Sequence, residues 1–113
     1  MIVKDYEKVE KKLVQAPGVT GIYVRYVLMP EDGADKFNLR VFEVEKGQMA
    51  PQHKHPYEHE IFVLKGKGVV IGESGEHEIK YGNVIFIPPD ERHTIKNSGD
   101  ENLVFICLIP AST

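Results

Sequence analysis

The sequence has little cysteine and no tryptophan: Cys107 is the only thiol in the chain. A disulfide within the chain needs two cysteines, and a zinc site built from thiolates needs more, so both are excluded. The fold must therefore be held by a hydrophobic core, and 113 residues are enough to form one. This cysteine usage fits a reducing compartment, and we expect a cytoplasmic protein.

The sequence also lacks an excess of positive charge and a long apolar run. Its 14 Lys and Arg residues against 17 Asp and Glu give a net charge of −3, whereas nucleic acids and anionic membranes require a basic face. No run approaches the roughly 18 apolar residues of a membrane span. The first residues, MIVKDYEKVEKKL, are charged where a signal peptide is apolar. We expect one domain, 1–113, with a small-molecule partner, no nucleic acid and no membrane.

From Gly18 onward, short β-rich runs alternate with turn residues such as Gly72-Glu73-Ser74-Gly75 and Pro88-Pro89-Asp90. Glycine readily adopts positive φ and proline fixes φ. These four- and three-residue segments are therefore predicted to form the turns at which strands end. Eight short strands with hairpin-length connections predict an all-β sandwich or barrel. The predicted runs are 19–29, 37–45, 59–65, 69–71, 77–80, 83–87, 93–96 and 103–109.

The N-terminal segment 1–17 stands apart from this pattern as an arm, and 37–109 forms the predicted barrel core. Tyr6, Val9 and Leu13 are spaced by three and four residues, which permits a helix over 4–14. The same stretch is also compatible with an extended arm. Both interpretations leave the fold class unchanged.

Three of the five histidines lie close together in the sequence: His53, His55 and His59. His53 and His55 are two residues apart, so in an extended chain their side chains share a face, as two ligands of one ion must. His59 begins an apolar run after a turn, and the three imidazoles can converge. His77 lies in a charged hairpin, and we expect it to be solvated.

Two stretches resemble the motifs of the cupin superfamily. Residues 47–66, GQMAPQHKHPYEHEIFVLKG, resemble the first motif, which has glycines at its ends and a His-x-His pair followed by an acidic ligand. Residues 82–97, GNVIFIPPDERHTIKN, resemble the second through Gly82, Pro88, His93 and Asn97. Asp90 stands where the second motif has glycine, which alters a turn but removes no ligand. The resemblance implies a small single-domain cupin, a double-stranded β-helix with a metal near its mouth.

The resemblance also implies a ligand set. His53, His55 and His93 match metal-binding positions of the motifs. The acidic position can be counted in two ways, giving His59 or Glu60, and the count back from the closing glycine gives His59. The chain therefore resembles the four-histidine cupin variant, with Glu60 as the alternative fourth ligand.

Four neutral imidazoles bind borderline divalent metals, so Mn, Fe, Co, Ni, Cu and Zn are all candidates, one per chain. If the ion is six-coordinate, two positions stay open, and redox, hydrolytic and isomerase chemistry are all possible. We expect a metal-dependent, dioxygenase-like oxidoreductase acting on a small organic substrate. The alternatives are a metal-dependent isomerase or decarboxylase, and a non-catalytic module that binds a metal or small molecule.

Three further residues are candidates for the cavity. Phe105 and Cys107 share one face of the last, wholly apolar run, and if this face is interior they lie near the metal. The alternative for Cys107 is a small buried hydrophobe. Arg40 is the third candidate: like Arg25, it is a strand-borne cation that can bind a substrate carboxylate, and the alternative for both is an exposed or ion-paired arginine.

Apolar side chains exceed what one barrel interior needs. They occupy both faces of the run 19–29, and Val104, Ile106 and Leu108 form an apolar outer face on the last run. Monomers rarely leave large contiguous apolar patches in water. Since cupins commonly bury such a face in a two-fold dimer, the resemblance implies a homodimer in which residues 1–14 help to cover the partner.

Overall fold

The computed structural model describes residues 1–111, which form nine β-strands and two short 3₁₀ turns. The 3₁₀ turns cover Tyr6–Lys8 and Pro30–Asp32. The strands are β1 (Lys12–Leu13), β2 (Ile22–Leu28), β3 (Phe37–Val44), β4 (His59–Lys65), β5 (Lys67–Gly72), β6 (Gly75–Lys80), β7 (Val84–Ile87), β8 (Thr94–Asn97) and β9 (Leu103–Pro110).

The strands form two antiparallel sheets that enclose one core. The larger sheet has the order β1-β2-β3-β9-β4-β7, and the smaller has the order β6-β5-β8. Val70, Ile79 and Ile95 of the smaller sheet belong to the same buried cluster as Val63 and Phe105 of the larger one. This arrangement confirms the predicted all-β fold, a double-stranded β-helix.

Side chains alternate between the two faces of β4 from His59 to Val63. His59, Ile61 and Val63 are buried, while Glu60 and Phe62 are exposed. The period of two places the histidine in the same interior layer as the apolar core. Strand β4 therefore directs a polar, ligand-type side chain into the barrel.

Most predicted strands differ from the observed ones by one to three residues at their ends, and the N-terminal segment differs in type. The run 93–96 begins one residue later, at Thr94, because His93 pairs with His53 in an isolated bridge outside the strand. The helix considered over 4–14 is wrong: this segment contains one 3₁₀ turn, capped by Asp5, and the two-residue strand β1. The backbone is extended there because β1 pairs with β2.

No helix among residues 1–111 is long and apolar enough to cross a membrane. This agrees with the absence of long apolar runs in the sequence. A cytoplasmic location stays a prediction.

Asp90 adopts a backbone conformation that favours glycine, with φ = 66°. It occupies the position at which the second motif normally has glycine, so the departure in sequence changes the side chain and keeps the turn. The N–H of Asp90 donates to the carbonyl of His55 at 2.6 Å. The turn therefore tethers the segment that carries one of the predicted ligands.

The outer face of the larger sheet carries a second apolar cluster, and part of it is open. Tyr6, from the N-terminal segment, packs on the buried Val27, Val41 and Val104. In this single chain the N-terminal segment thus covers its own sheet, and Arg25 secures it by donating to the carbonyls of Glu7 and Val9. Beyond this cover, three large apolar side chains of β4 and β7 stay exposed: Phe62, Val84 and Phe86.

A substitution series at position 90 tests the role of its positive φ. A left-handed conformation costs a non-glycine residue about 1–2 kcal/mol, while glycine costs about 0.5–1 kcal/mol in backbone entropy. We expect Asp90→Gly to leave the free energy of unfolding within about 1 kcal/mol of the parent, and Asp90→Val to lower it by about 2 kcal/mol. Urea denaturation measures both, with Lys54→Val as the exposed-loop control. Equal stability of the glycine and valine variants would contradict this account.

Homodimerisation, and the placement of residues 1–14 on a partner, stay predictions. If the open part of the outer face is the interface, light scattering at micromolar concentration gives a mass near twice the 12.8 kDa of one chain. Phe86→Lys places a charge on this face and is expected to shift the mass towards one chain, because burying an unpaired ammonium is costly. Met49→Lys, at an exposed apolar residue that pairs with Lys96 of the smaller sheet, is the matched control. A mass of one chain for the parent protein would reject the prediction.

Candidate metal centre

The structure brings the four predicted histidine ligands to one wall of the barrel cavity. The ring centroids of His53 and His55 are 4.6 Å apart, as are those of His53 and His93. One ring nitrogen from each of these three residues lies within 4.8 Å of the others, close enough to share one ion. His59 is buried, as His93 is, and its ring centroid lies 5.1 Å from that of His93 and 5.3 Å from that of His55.

Backbone pairing explains why His53 meets His93. The N–H of His53 donates to the carbonyl of His93 at 3.0 Å, and the N–H of His93 donates back at 2.8 Å. This is the hydrogen-bonded pair of an antiparallel ladder, in which opposite side chains lie side by side. His55 then follows His53 on the same face, as its two-residue spacing predicts.

Backbone carbonyls set the tautomers of two of these imidazoles. Nδ1 of His53 lies 2.8 Å from the carbonyl oxygen of Pro51, and Nδ1 of His93 lies 2.8 Å from that of Glu91. A carbonyl only accepts, so each Nδ1 carries the proton and donates it. Each Nε2 is consequently left with a free lone pair, the form in which histidine binds a metal.

His59 shows most directly that these residues suit an ion. Its Nδ1 lies 3.3 Å from Sγ of Cys107, and its Nε2 is buried with no hydrogen-bond partner among the described residues. A buried polar atom without a partner costs about 1–3 kcal/mol. An ion shared with the neighbouring imidazoles satisfies that nitrogen, so the donor set fits a transition metal of the borderline class.

Burial keeps His55, His59 and His93 neutral. The pKa of His59 is lowered to about 3, mainly by burial and in addition by the nearby His93 and Arg40. Burial also lowers the pKa of His55 and of His93, although for His93 the hydrogen bond to Glu91 acts in the opposite direction. At neutral pH these side chains therefore have the charge state that a metal ligand requires.

Two of the sequence candidates lie outside the cavity. Glu60 is exposed on the outer face of β4, opposite Phe86 and Leu108. The structure therefore places His59, and not Glu60, beside the other imidazoles. Arg25 lies half-buried on β2 and binds the N-terminal segment, and His77 is exposed as expected.

The histidines open into a cavity of about 460 Å³ with mainly apolar walls. Arg40, Phe105 and Cys107, the three cavity candidates from the sequence, all line it. The remaining walls come from aliphatic and aromatic side chains of both sheets, among them Ile22, Val44, Ile61, Ile87 and Ile95. A site with this lining favours a small organic molecule over a large polar one.

Sequence reasoning missed two aromatic residues of the cavity. The Tyr57 ring stacks on His55, with centroids 4.8 Å apart and planes 6° apart. Phe42 stacks on Phe105 at 5.5 Å. The spacing along the chain could have indicated both, because Tyr57 is two residues after His55 and Phe42 is two residues after Arg40, which places each on the same face as a candidate. The turn predicted before His59 obscured Tyr57, and neither motif includes Phe42.

Comparison with known proteins supports the same family. The cupin-domain family model matches residues 40–109. The crystal structure of the polyketide cyclase RemF from Streptomyces resistomycificus superimposes with a TM-score of 0.92 and 31% identity, covering 98% of this chain and 80% of RemF.

Two proteins whose names indicate different functions are also similar to this chain in sequence. The oxalate-binding protein of Thermotoga maritima is 30% identical over 112 residues, 96% of this chain and 93% of that protein. A glucose-6-phosphate isomerase of Thermococcus litoralis is 27% identical, over 93% of this chain and 62% of its own length. With the family model matched over most of the strands and the histidines of both motifs gathered at one cavity, this chain belongs to the cupin family.

Proposed function

We propose that the protein binds one divalent transition metal through His53, His55 and His93, with His59 as the fourth ligand, and acts on a small organic molecule in the adjoining cavity. The unpaired, buried Nε2 of His59 carries this proposal. Without an ion, that nitrogen has no compensation for its burial in an apolar site. The neighbouring imidazoles supply the rest of a donor set that favours such an ion.

A bound divalent metal supplies Lewis-acid chemistry, which polarises a carbonyl and stabilises negative charge on oxygen. The chain's own residues provide the setting. The carbonyls of Pro51 and Glu91 hold two imidazoles in one tautomer and orientation. The aliphatic and aromatic walls surround bound charges with a medium of low polarity, so these charges are screened less than in bulk water.

The reaction we favour is redox-neutral, a proton transfer or carbon–carbon bond rearrangement next to a carbonyl. The similarity to a polyketide cyclase over nearly the whole chain and the weaker similarity to an isomerase support it. The similarity to an oxalate-binding protein supports the alternative of a non-catalytic binding module. Dioxygenase-like oxidation stays a prediction, because no feature of the cavity favours it over Lewis-acid chemistry.

Removing single ligands tests the metal site. We expect about one transition metal per chain in the purified protein, and a loss of at least tenfold in metal affinity for His53→Ala and for His93→Ala. His59→Ala is expected to weaken binding similarly, whereas Glu60→Ala is expected to leave it unchanged because Glu60 faces outward. Elemental analysis and metal titration measure these effects.

The paired variants at positions 59 and 60 decide the fourth ligand. If Glu60→Ala empties the site while His59→Ala leaves it filled, the assignment of His59 is wrong. Full occupancy in both His53→Ala and His93→Ala would overturn the site as a whole. Circular dichroism of each variant shows that a loss of metal does not follow from unfolding.

Two measurements on one panel separate the reaction classes. Metal-loaded protein is mixed in D₂O with ketones, hydroxyketones and aromatic diols, and both oxygen consumption and deuterium uptake next to the carbonyl are followed. We expect faster deuterium uptake without oxygen consumption, since a Lewis acid stabilises the enolate. The His53→Ala variant is the control. Oxygen consumption linked to product would instead establish the oxidoreductase, and no change in any compound would favour a binding module.

A further inference from the structure

Arg40 projects from β3 into the cavity, and no negatively charged side chain among residues 1–111 pairs with it. Its guanidinium Nη2 donates to Sγ of Cys107 at 3.2 Å, and its Nε is buried with no hydrogen-bond partner in the same described part of the chain. A thiol sulfur is a weak acceptor. Among the described residues, the guanidinium therefore has one hydrogen-bond acceptor, and it is a weak one.

The Phe42 ring, itself stacked on Phe105, holds this guanidinium in place. Arg40 lies over the Phe42 ring, 4.9 Å from its centroid, and Phe42 in turn stacks on Phe105 with planes 17° apart. Stacking on an aromatic face restricts the side chain and costs it little of its hydrogen-bonding capacity. The cation is thus fixed before any ligand arrives.

The charge of the cavity is unbalanced. Arg40 is the one Lys or Arg side chain in its lining, and no Asp or Glu lines it within the described part of the chain. A cation among apolar walls favours an anionic ligand, and the planar guanidinium matches a carboxylate with two parallel hydrogen bonds.

The cation also lies close to the metal ligands. Cys107 contacts both the cation and one of the histidines: its Sγ lies 3.2 Å from Nη2 of Arg40 and 3.3 Å from Nδ1 of His59. A ligand anchored at Arg40 therefore has the histidine cluster within reach of the rest of a small molecule.

We propose that Arg40 is the anion-binding residue of the cavity and that the ligand is a small, largely apolar organic carboxylate whose carboxylate group pairs with the guanidinium. The further claim that this carboxylate is also the substrate rests on the proposed function. Binding of the carboxylate at Arg40 does not require the metal, so the two ideas can fail separately.

A pair of probes that differ in charge tests this on the full chain treated with chelator. Benzoate and benzamide have nearly the same size, and calorimetry compares their affinities. We expect benzoate to bind about tenfold or more tightly than benzamide, as a charge-assisted bidentate pair implies. Arg40→Gln is expected to abolish the preference and Arg40→Lys to reduce it, whereas Arg25→Gln, a strand-borne arginine outside the cavity, retains it.

Nuclear Overhauser contacts from benzoate ring protons to Phe42 or Phe105 give a second readout on the unmodified protein, which does not depend on a variant that folds. Four results would each overturn the proposal. They are equal affinities for the two probes, binding of neither probe, a benzoate preference that folded Arg40→Gln retains, and the absence of benzoate contacts to these rings. Metal content is measured separately in the same samples. A chain that selects benzoate and never takes up metal would refute the proposed function and leave the role of Arg40 intact.

Discussion

Two backbone hydrogen bonds between His53 and His93 join the two halves of this site. The residues are far apart in the chain, and neither belongs to a regular strand, yet the bridge places their imidazoles side by side. His55 follows by alternation, and the tether from Asp90 to the His55 carbonyl fixes the same loop from the other side. The geometry of the donor set thus depends on backbone pairing, which side-chain substitutions disturb least.

Burial then determines the chemistry of the groups that this pairing collects. It keeps His55, His59 and His93 neutral, and among residues 1–111 it leaves Nε2 of His59 unpaired and Arg40 beside apolar walls without a carboxylate. The unpaired nitrogen and the unpaired cation both disfavour the protein without a ligand. Together they favour the binding of a cation at the histidines and of an anion at the arginine.

Much of the fold was predictable because its signals are local. Alternating apolar residues and turn glycines indicate the strands of an antiparallel barrel, and the period of two in β4 predicts which side chains point inward. The His53 and His55 pair was predictable for the same reason. The N-terminal segment was not, because its helical spacing is weak and pairing with β2 overrides it.

The amino-acid sequence by itself determined the fold class, the candidate histidines and the parity of each strand, since these follow from residue type and spacing along the chain. Only the tertiary structure decided that the His59 ring lies close to those of His55 and His93, and that Arg40 contacts Cys107 from a different strand. It also decided that backbone carbonyls orient His53 and His93. These facts depend on register and on the packing of distant strands, which are set by long-range pairing and by burial.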